Sequence, residues 1–155
     1  MKARHISSGF TLIELVMVIV ILSVVSLYAA SRYLSAGIPA AAVQDQAIAV
    51  IRQVQVNRMQ SNLSDTTIVD KNDFILNVTN NCIGSKASCS SQTESRSDWF
   101  MPDGVSFSPN LELEFNLLGN PSGATPTIQI TENGSGKTCS IHINSQGYVE
   151  KRTCS

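Results

Sequence analysis

The residues of this chain that could do chemistry are few, and their settings differ sharply. Glu14 is a carboxylate inside the apolar run Phe10 to Ala30, where it is the one charge. An ionised carboxylate there costs about 2.5–3.5 kcal/mol at a bilayer centre and less near the interface, so it needs a cationic partner. Four cysteines, Cys82, Cys89, Cys139 and Cys154, stand apart from that run. None forms a Cys-x-x-Cys pair, and the two histidines are His5 and His142, which argues against zinc and for disulfides. His142 alternates with Ile141 and Ile143, which predicts an exposed, idle imidazole. Glu112 and Glu114 share a strand face as an acid pair would, but a solvated edge is the commoner meaning of that pattern. With no glycine-rich phosphate loop, serine elbow or metal motif, the sequence predicts no enzyme, no cofactor and no metal.

The element that must position Glu14 is a helix. Phe10 to Ala30 rises about 1.5 Å per residue and spans roughly 30 Å, the thickness of a bilayer's hydrocarbon. Lys2 and Arg4 precede it and Arg32 follows, so the start of the chain is expected in the cytoplasm and the bulk outside.

The junction Gly9-Phe10, followed by Thr11-Leu12-Ile13-Glu14-Leu15-Val16 and more apolar residues, resembles the class III signal of type IV pilins and type II secretion pseudopilins. The resemblance implies cleavage between Gly9 and Phe10 by a prepilin peptidase, which also N-methylates Phe10. The freed α-amine would be a cation at the end of the same helix. Glu14 of one subunit could then pair with Phe10 of a neighbour as the subunit docks into a filament. Two plainer readings stand beside this one. A secretory signal ending near Tyr28-Ala29-Ala30-Ser31 would carry Glu14 inside an overlong core. A plain single-pass anchor explains the length and leaves Gly9, Phe10 and Glu14 unaccounted for.

Beyond the apolar run, Gly37 and Pro39 interrupt the pattern. A helix then resumes: Val43, Ala47, Val50, Ile51 and Val54 form one stripe, with Gln44, Asp45, Arg52, Gln53 and Gln55 expected off it. After Gln60 the composition turns to Ser, Asn, Thr and Asp. Strands are predicted at 73–78, 105–107, 111–117, 127–131, 138–144 and 148–153, punctuated by Pro102-Asp103-Gly104, Gly119-Asn120-Pro121 and Asn133-Gly134. Ser85 to Ser97 reads as a surface loop pinned by Cys82 and Cys89.

Four cysteines allow three connectivities, and proximity in sequence favours Cys82 with Cys89 and Cys139 with Cys154. A two-residue turn at Gln146-Gly147 would set Cys139 opposite Cys154, a workable disulfide geometry. The same register places Ile141 opposite Arg152 and Ile143 opposite Glu150, so a bulge or a longer loop stays open. A small head beyond a membrane anchor gains from such staples, and an oxidising compartment permits them.

The succession of Trp99, Gly104-Val105-Ser106-Phe107, Leu113-Glu114-Phe115-Asn116, Leu118-Gly119-Asn120-Pro121 and Gly147 is similar to the H-type pseudopilins and fimbrial-T minor pilins. Within that group the minor pilins of the mannose-sensitive haemagglutinin (MSHA) pilus are the nearest. Some fimbrial-T relatives take up DNA through a basic run after the last glycine. Here Tyr148-Val149-Glu150-Lys151-Arg152 follows Gly147, and residues 62–155 carry six Lys and Arg against ten Asp and Glu, which disfavours nucleic acid.

The expected fold is α+β, a long N-terminal helix, membrane-spanning then amphipathic, packed on an antiparallel β-sheet or β-sandwich-like head with disulfides. The expected segments are a leader (1–9), a transmembrane and assembly helix (10–30), its amphipathic continuation (31–61) and a periplasmic head (62–155). The resemblance implies a minor pilin of a type IV pilus serving adhesion or motility. A pseudopilin of a type II secretion system, or a filament receptor for DNA or a surface ligand, is the alternative. It implies as partners the prepilin peptidase, other major and minor pilins and the bacterial inner membrane, with no nucleic acid.

Overall fold

The computed structural model describes residues 10–35, 39–61, 63 and 71–155. The chain divides into two compact units, residues 1–37 and 38–155. The first contributes one helix, α1 (Leu12–Ser35). The second begins with α2 (Ala40–Gln60) and continues through β1 (Ile75–Val78), β2 (Ile83–Ser85), a short α3 (Lys86–Ser91), β3 (Trp99–Phe100), β4 (Val105–Ser108), β5 (Leu111–Glu114), β6 (Thr127–Glu132), β7 (Thr138–Ile143) and β8 (Val149–Lys151).

Pro39 ends the interruption that its sequence position foretold. It is the N-cap of α2 in extended conformation, where a missing N–H costs nothing, and Gly37 lies outside the described residues. The eight strands form two antiparallel sheets, ordered β3-β2-β1-β5 and β4-β6-β7-β8. Strands of both sheets pack on α2, so the head is organised around that helix. Val43, Ala47, Ile51 and Val54 are fully buried there, against Leu76, Val78 and Ile83 of one sheet and Phe107, Ile128, Ile130, Ile141 and Ile143 of the other. Each Val, Leu, Ile or Phe side chain among them contributes about 1.5–3 kcal/mol by leaving water.

The helix stripe is wider than its apolar residues. Gln44 and Gln55, expected away from the core, are 0% and 7% exposed. Gln44 Nε2 donates to the carbonyls of Ser140 (2.7 Å) and Arg152 (2.8 Å). Gln55 Nε2 donates to those of Gly119 (3.0 Å) and Gly147 (2.8 Å). A primary amide offers two N–H donors, and each glutamine spends both on backbone carbonyls, so neither donor is buried without a partner. Arg58 is buried as well: Nε donates to the Phe115 carbonyl (3.2 Å), and the guanidinium lies over the Phe74 ring, 5.8 Å from its centroid.

The segment expected as a loop from Ser85 to Ser97 is more ordered than its serines suggest. Ser85 is buried at the end of β2 and caps α3, its Oγ accepting from the Ser88 N–H at 3.2 Å. α3 packs on β1, β2 and β3 while α2 lies against the same three strands, so all three residues of β2 are buried. Gly84 is needed there, because a Cβ would sit 2.5 Å from the Trp99 Cα and the Asp98 carbonyl oxygen.

The final hairpin departs from the expected register by one residue. Ile143 faces Val149 and Ile141 faces Lys151, joined through a turn in which Asn144 N–H donates to the Tyr148 carbonyl and Gly147 has φ +77°. The physical reason is side-chain alternation: the two-residue turn would have put Glu150 opposite Ile143, whereas the observed register buries Val149 at 2% exposure. Beyond Lys151 the strand gains one residue. Arg152 N–H still donates to the Ser140 carbonyl, but Thr138 exchanges both backbone bonds with Ser155, so three steps oppose two. That bulge brings Cys139 beside Cys154, and the two are disulfide-bonded, as are Cys82 and Cys89. At Asn133-Gly134 the chain does turn, but the left-handed residue of that loop is Gly136, φ +71°.

Candidate processing and assembly site

The start of α1 is built by Thr11. Its Oγ1 accepts from the Glu14 N–H at 3.3 Å while its carbonyl accepts from Leu15 N–H at 3.2 Å, so Thr11 is the N-cap and Glu14 the third helical residue. Thr-x-x-Glu is the capping-box pattern, and it is legible in the sequence although periodicity alone passes over it. Glu14 sits in the first turn, where the unpaired N–H groups and the helix dipole favour a negative charge. Among the described residues its carboxylate makes no hydrogen bond or ion pair. Phe10 precedes the cap and is 80% exposed; Gly9 and the rest of residues 1–9 lie outside the described residues.

The body of α1 is an apolar cylinder. Leu12–Ala29 is long and apolar enough to cross a membrane, and none of it is buried. Its two serines are satisfied within the helix, Ser23 Oγ donating to the Val20 carbonyl (2.7 Å) and Ser26 Oγ to that of Leu22 (2.6 Å). Hydroxyls closed onto their own backbone suit an environment without water. So large an exposed apolar surface marks a segment made for lipid or for other apolar helices.

The remaining candidates fall into structural roles. His142 is half-buried, its Nδ1 3.1 Å from Thr127 Oγ1 across the β6–β7 pair. Glu112 and Glu114 lie exposed on the edge strand β5, Glu112 bonded to Lys86 at 2.8 Å. Lys151 is paired with Asp45 (2.6 Å) and Arg152 with Glu150 (3.6 Å), so the basic pair after Gly147 is offset by acids. Among the described residues no three His, Cys, Asp or Glu side chains come together to hold a metal ion.

Sequence reasoning passed over one charged network. Asp98, 4% exposed, receives Arg96 Nε (3.1 Å), Arg96 NH2 (2.8 Å) and Ser88 Oγ (2.7 Å), and Arg96 NH1 reaches Asp73 at 2.7 Å. Burial by itself pushes the Asp98 carboxyl up, but the hydrogen bonds from Arg96, Ser88 and Ser85 outweigh it and hold the group well below the usual carboxylate range. The Arg96 guanidinium is raised in turn, chiefly by its bond to Asp98. The network ties the 92–98 segment to α3 and to the chain before β1, next to the Cys82–Cys89 bridge.

No characterised protein and no solved structure shows significant similarity to the chain. Residues 4–30 match the prokaryotic N-terminal methylation motif. A signal of that kind is processed by a peptidase of the prepilin class, and the match takes in the Gly9-Phe10 junction, the Thr11 cap, Glu14 and most of α1. The chain therefore carries a prepilin-like methylation signal on a single N-terminal apolar helix, followed by a disulfide-bonded, antiparallel β-sheet domain.

Proposed function

We propose that this chain is a minor subunit of a type IV pilus, cut between Gly9 and Phe10, N-methylated on Phe10 and drawn from the bacterial inner membrane into a filament. The observation that carries the reading is the methylation motif over residues 4–30 on an apolar helix that buries none of its membrane-length window. Residues 1–9 serve as leader, 10–30 as transmembrane and assembly helix, 31–61 as its continuation and 62–155 as the periplasmic head. The head's resemblance to H-type pseudopilins and fimbrial-T minor pilins favours a minor subunit serving adhesion or motility, similar to minor pilin C of the MSHA pilus. The same signal would also serve a pseudopilin of a type II secretion system.

Glu14 gives this reading its mechanism. Thr11 caps the helix through its hydroxyl and leaves the Glu14 side chain free to face outward. In apolar surroundings that carboxylate is costly until a cation meets it, and the α-amine of a processed neighbour's Phe10 is such a cation. Cohesion comes from helix packing, and the charge pair selects the axial step. The test is Glu14→Ala. We expect normal cleavage with incorporation into filaments reduced at least about tenfold, a ratio that corresponds to about 1.4 kcal/mol. Incorporation equal to the wild type would refute the role of Glu14.

A further inference from the structure

The head carries an open cleft of about 290 Å³ lined by Glu94, Arg96, Trp99, Phe100 and Met101. Trp99 and Phe100 form β3, an edge strand that pairs with β2 alone. Its walls are fixed from behind. Trp99 Nε1 donates to the Thr93 carbonyl (3.3 Å), Ser85 N–H donates to the Asp98 carbonyl (2.9 Å), and Arg96 is held by Asp98 and Asp73.

The charges of the cleft do not cancel. Arg96 spends its guanidinium on two carboxylates, so its positive charge is already offset. Glu94 is exposed and, among the described residues, has no hydrogen-bond or ion-pair partner. What the cleft offers a visitor is a free carboxylate beside a lining that Trp99, Phe100 and Met101 contribute. An anion would meet Glu94 with Asp98 and Asp73 close behind it. A neutral apolar group would strip water from Glu94 without compensation. A cation on an apolar stem gains from the aromatic surface and from the carboxylate together.

We propose that this cleft is a binding site for an alkylammonium group, presented as a lysine side chain by a partner protein. The site is independent of signal processing and of Glu14. Trp99 is the single tryptophan of the chain, so its fluorescence reports on the cleft directly. The probe is N-acetyl-lysine methylamide, added to the full-length protein in a neutral glycoside detergent whose head group carries no ammonium to compete. Its norleucine counterpart is the uncharged control. The expected result is a saturable change in the millimolar range, about fivefold weaker for the norleucine compound and about fivefold weaker again in Glu94→Gln. Glu94→Gln should keep the wild-type melting temperature, which separates loss of binding from loss of fold. Saturation transfer from the protein's aromatic protons to the lysine ε-methylene gives a second readout for either protein. No saturable change, an equal response to norleucine, or an unaltered response in Glu94→Gln would overturn the proposal.

Discussion

Replacing Gln55 with alanine tests the idea that α2 organises the head through polar bonds as well as apolar packing. Gln55 is 7% exposed and its amide bridges the carbonyls of Gly119 and Gly147, one in the connection between β5 and β6, the other in the turn between β7 and β8. The turn cannot simply close over the gap, since a Cβ on Gly147 would collide with the Gly119 carbonyl oxygen, which shows how tightly these backbones already meet. Two hydrogen bonds at about 1 kcal/mol each, plus roughly 1 kcal/mol for lost packing, give a destabilisation of about 3 kcal/mol. For a head of this size that lowers the melting temperature by about 12 °C. Gln53 is the internal control: it is exposed, bonds only to Asn57 on its own helix (2.8 Å), and its alanine variant should stay within about 0.5 kcal/mol of wild type. Gln55→Glu sharpens the test, because an ionised carboxylate cannot donate to two carbonyls. It should be worse than alanine at neutral pH and recover partly in acid, when the protonated group regains one donor. The assay is urea denaturation of the full-length protein in neutral detergent, followed by Trp99 fluorescence. A Gln55→Ala loss no larger than that of Gln53→Ala would refute the reasoning.

Other consequences follow from the same geometry. Asp98→Asn should cost about 1–2 kcal/mol at neutral pH, the lower end applying because Arg96 is one-third exposed and partly screened. Since the native Asp98 carboxyl is held below its unfolded value, its stabilisation is fully present above about pH 4 and is lost as pH falls through the native value, a slope that Asp98→Asn should flatten in acid denaturation. Gly84→Ala should abolish the native Trp99 signal or cost several kcal/mol, whereas Gly134→Ala, with nothing within 4 Å of the added methyl, should change the urea midpoint little. Removing the Cys139–Cys154 bridge, with a sequence separation of 15, should cost about 3 kcal/mol, and removing Cys82–Cys89, with a separation of 7, about 2 kcal/mol, both read by denaturation of the paired serine variants.

Much of this architecture is written locally in the chain. Val43, Ala47, Ile51 and Val54 announce the buried stripe because a helix repeats its face every three or four residues. Pro39 announces the start of α2 because it lacks the N–H that a helix interior requires. Residue type misled where chemistry is local but context is not. Gln44 and Gln55 look like solvent residues, and only the positions of the Ser140, Arg152, Gly119 and Gly147 carbonyls, up to 108 residues away, make burial favourable. The hairpin register shows the same limit: turn chemistry suggested one alignment, and burial of Val149 opposite Ile143 overrode it. β2, α3 and β3 escaped because Ser85, Ser88 and Gly84 are small or polar and owe their burial to elements packed on both sides. At the N-terminus the Thr11 cap was legible and unread, since Thr-x-x-Glu carries its meaning in hydrogen bonds.

The most direct test of the assembly account is the intact mass and N-terminal sequence of the protein from cells with and without their prepilin peptidase. The account predicts a mature chain beginning with N-methylated Phe10 only when the peptidase is present, and the uncut chain with residues 1–9 when it is absent. A chain that starts near Ser31, or that retains Met1 in both strains, would contradict it.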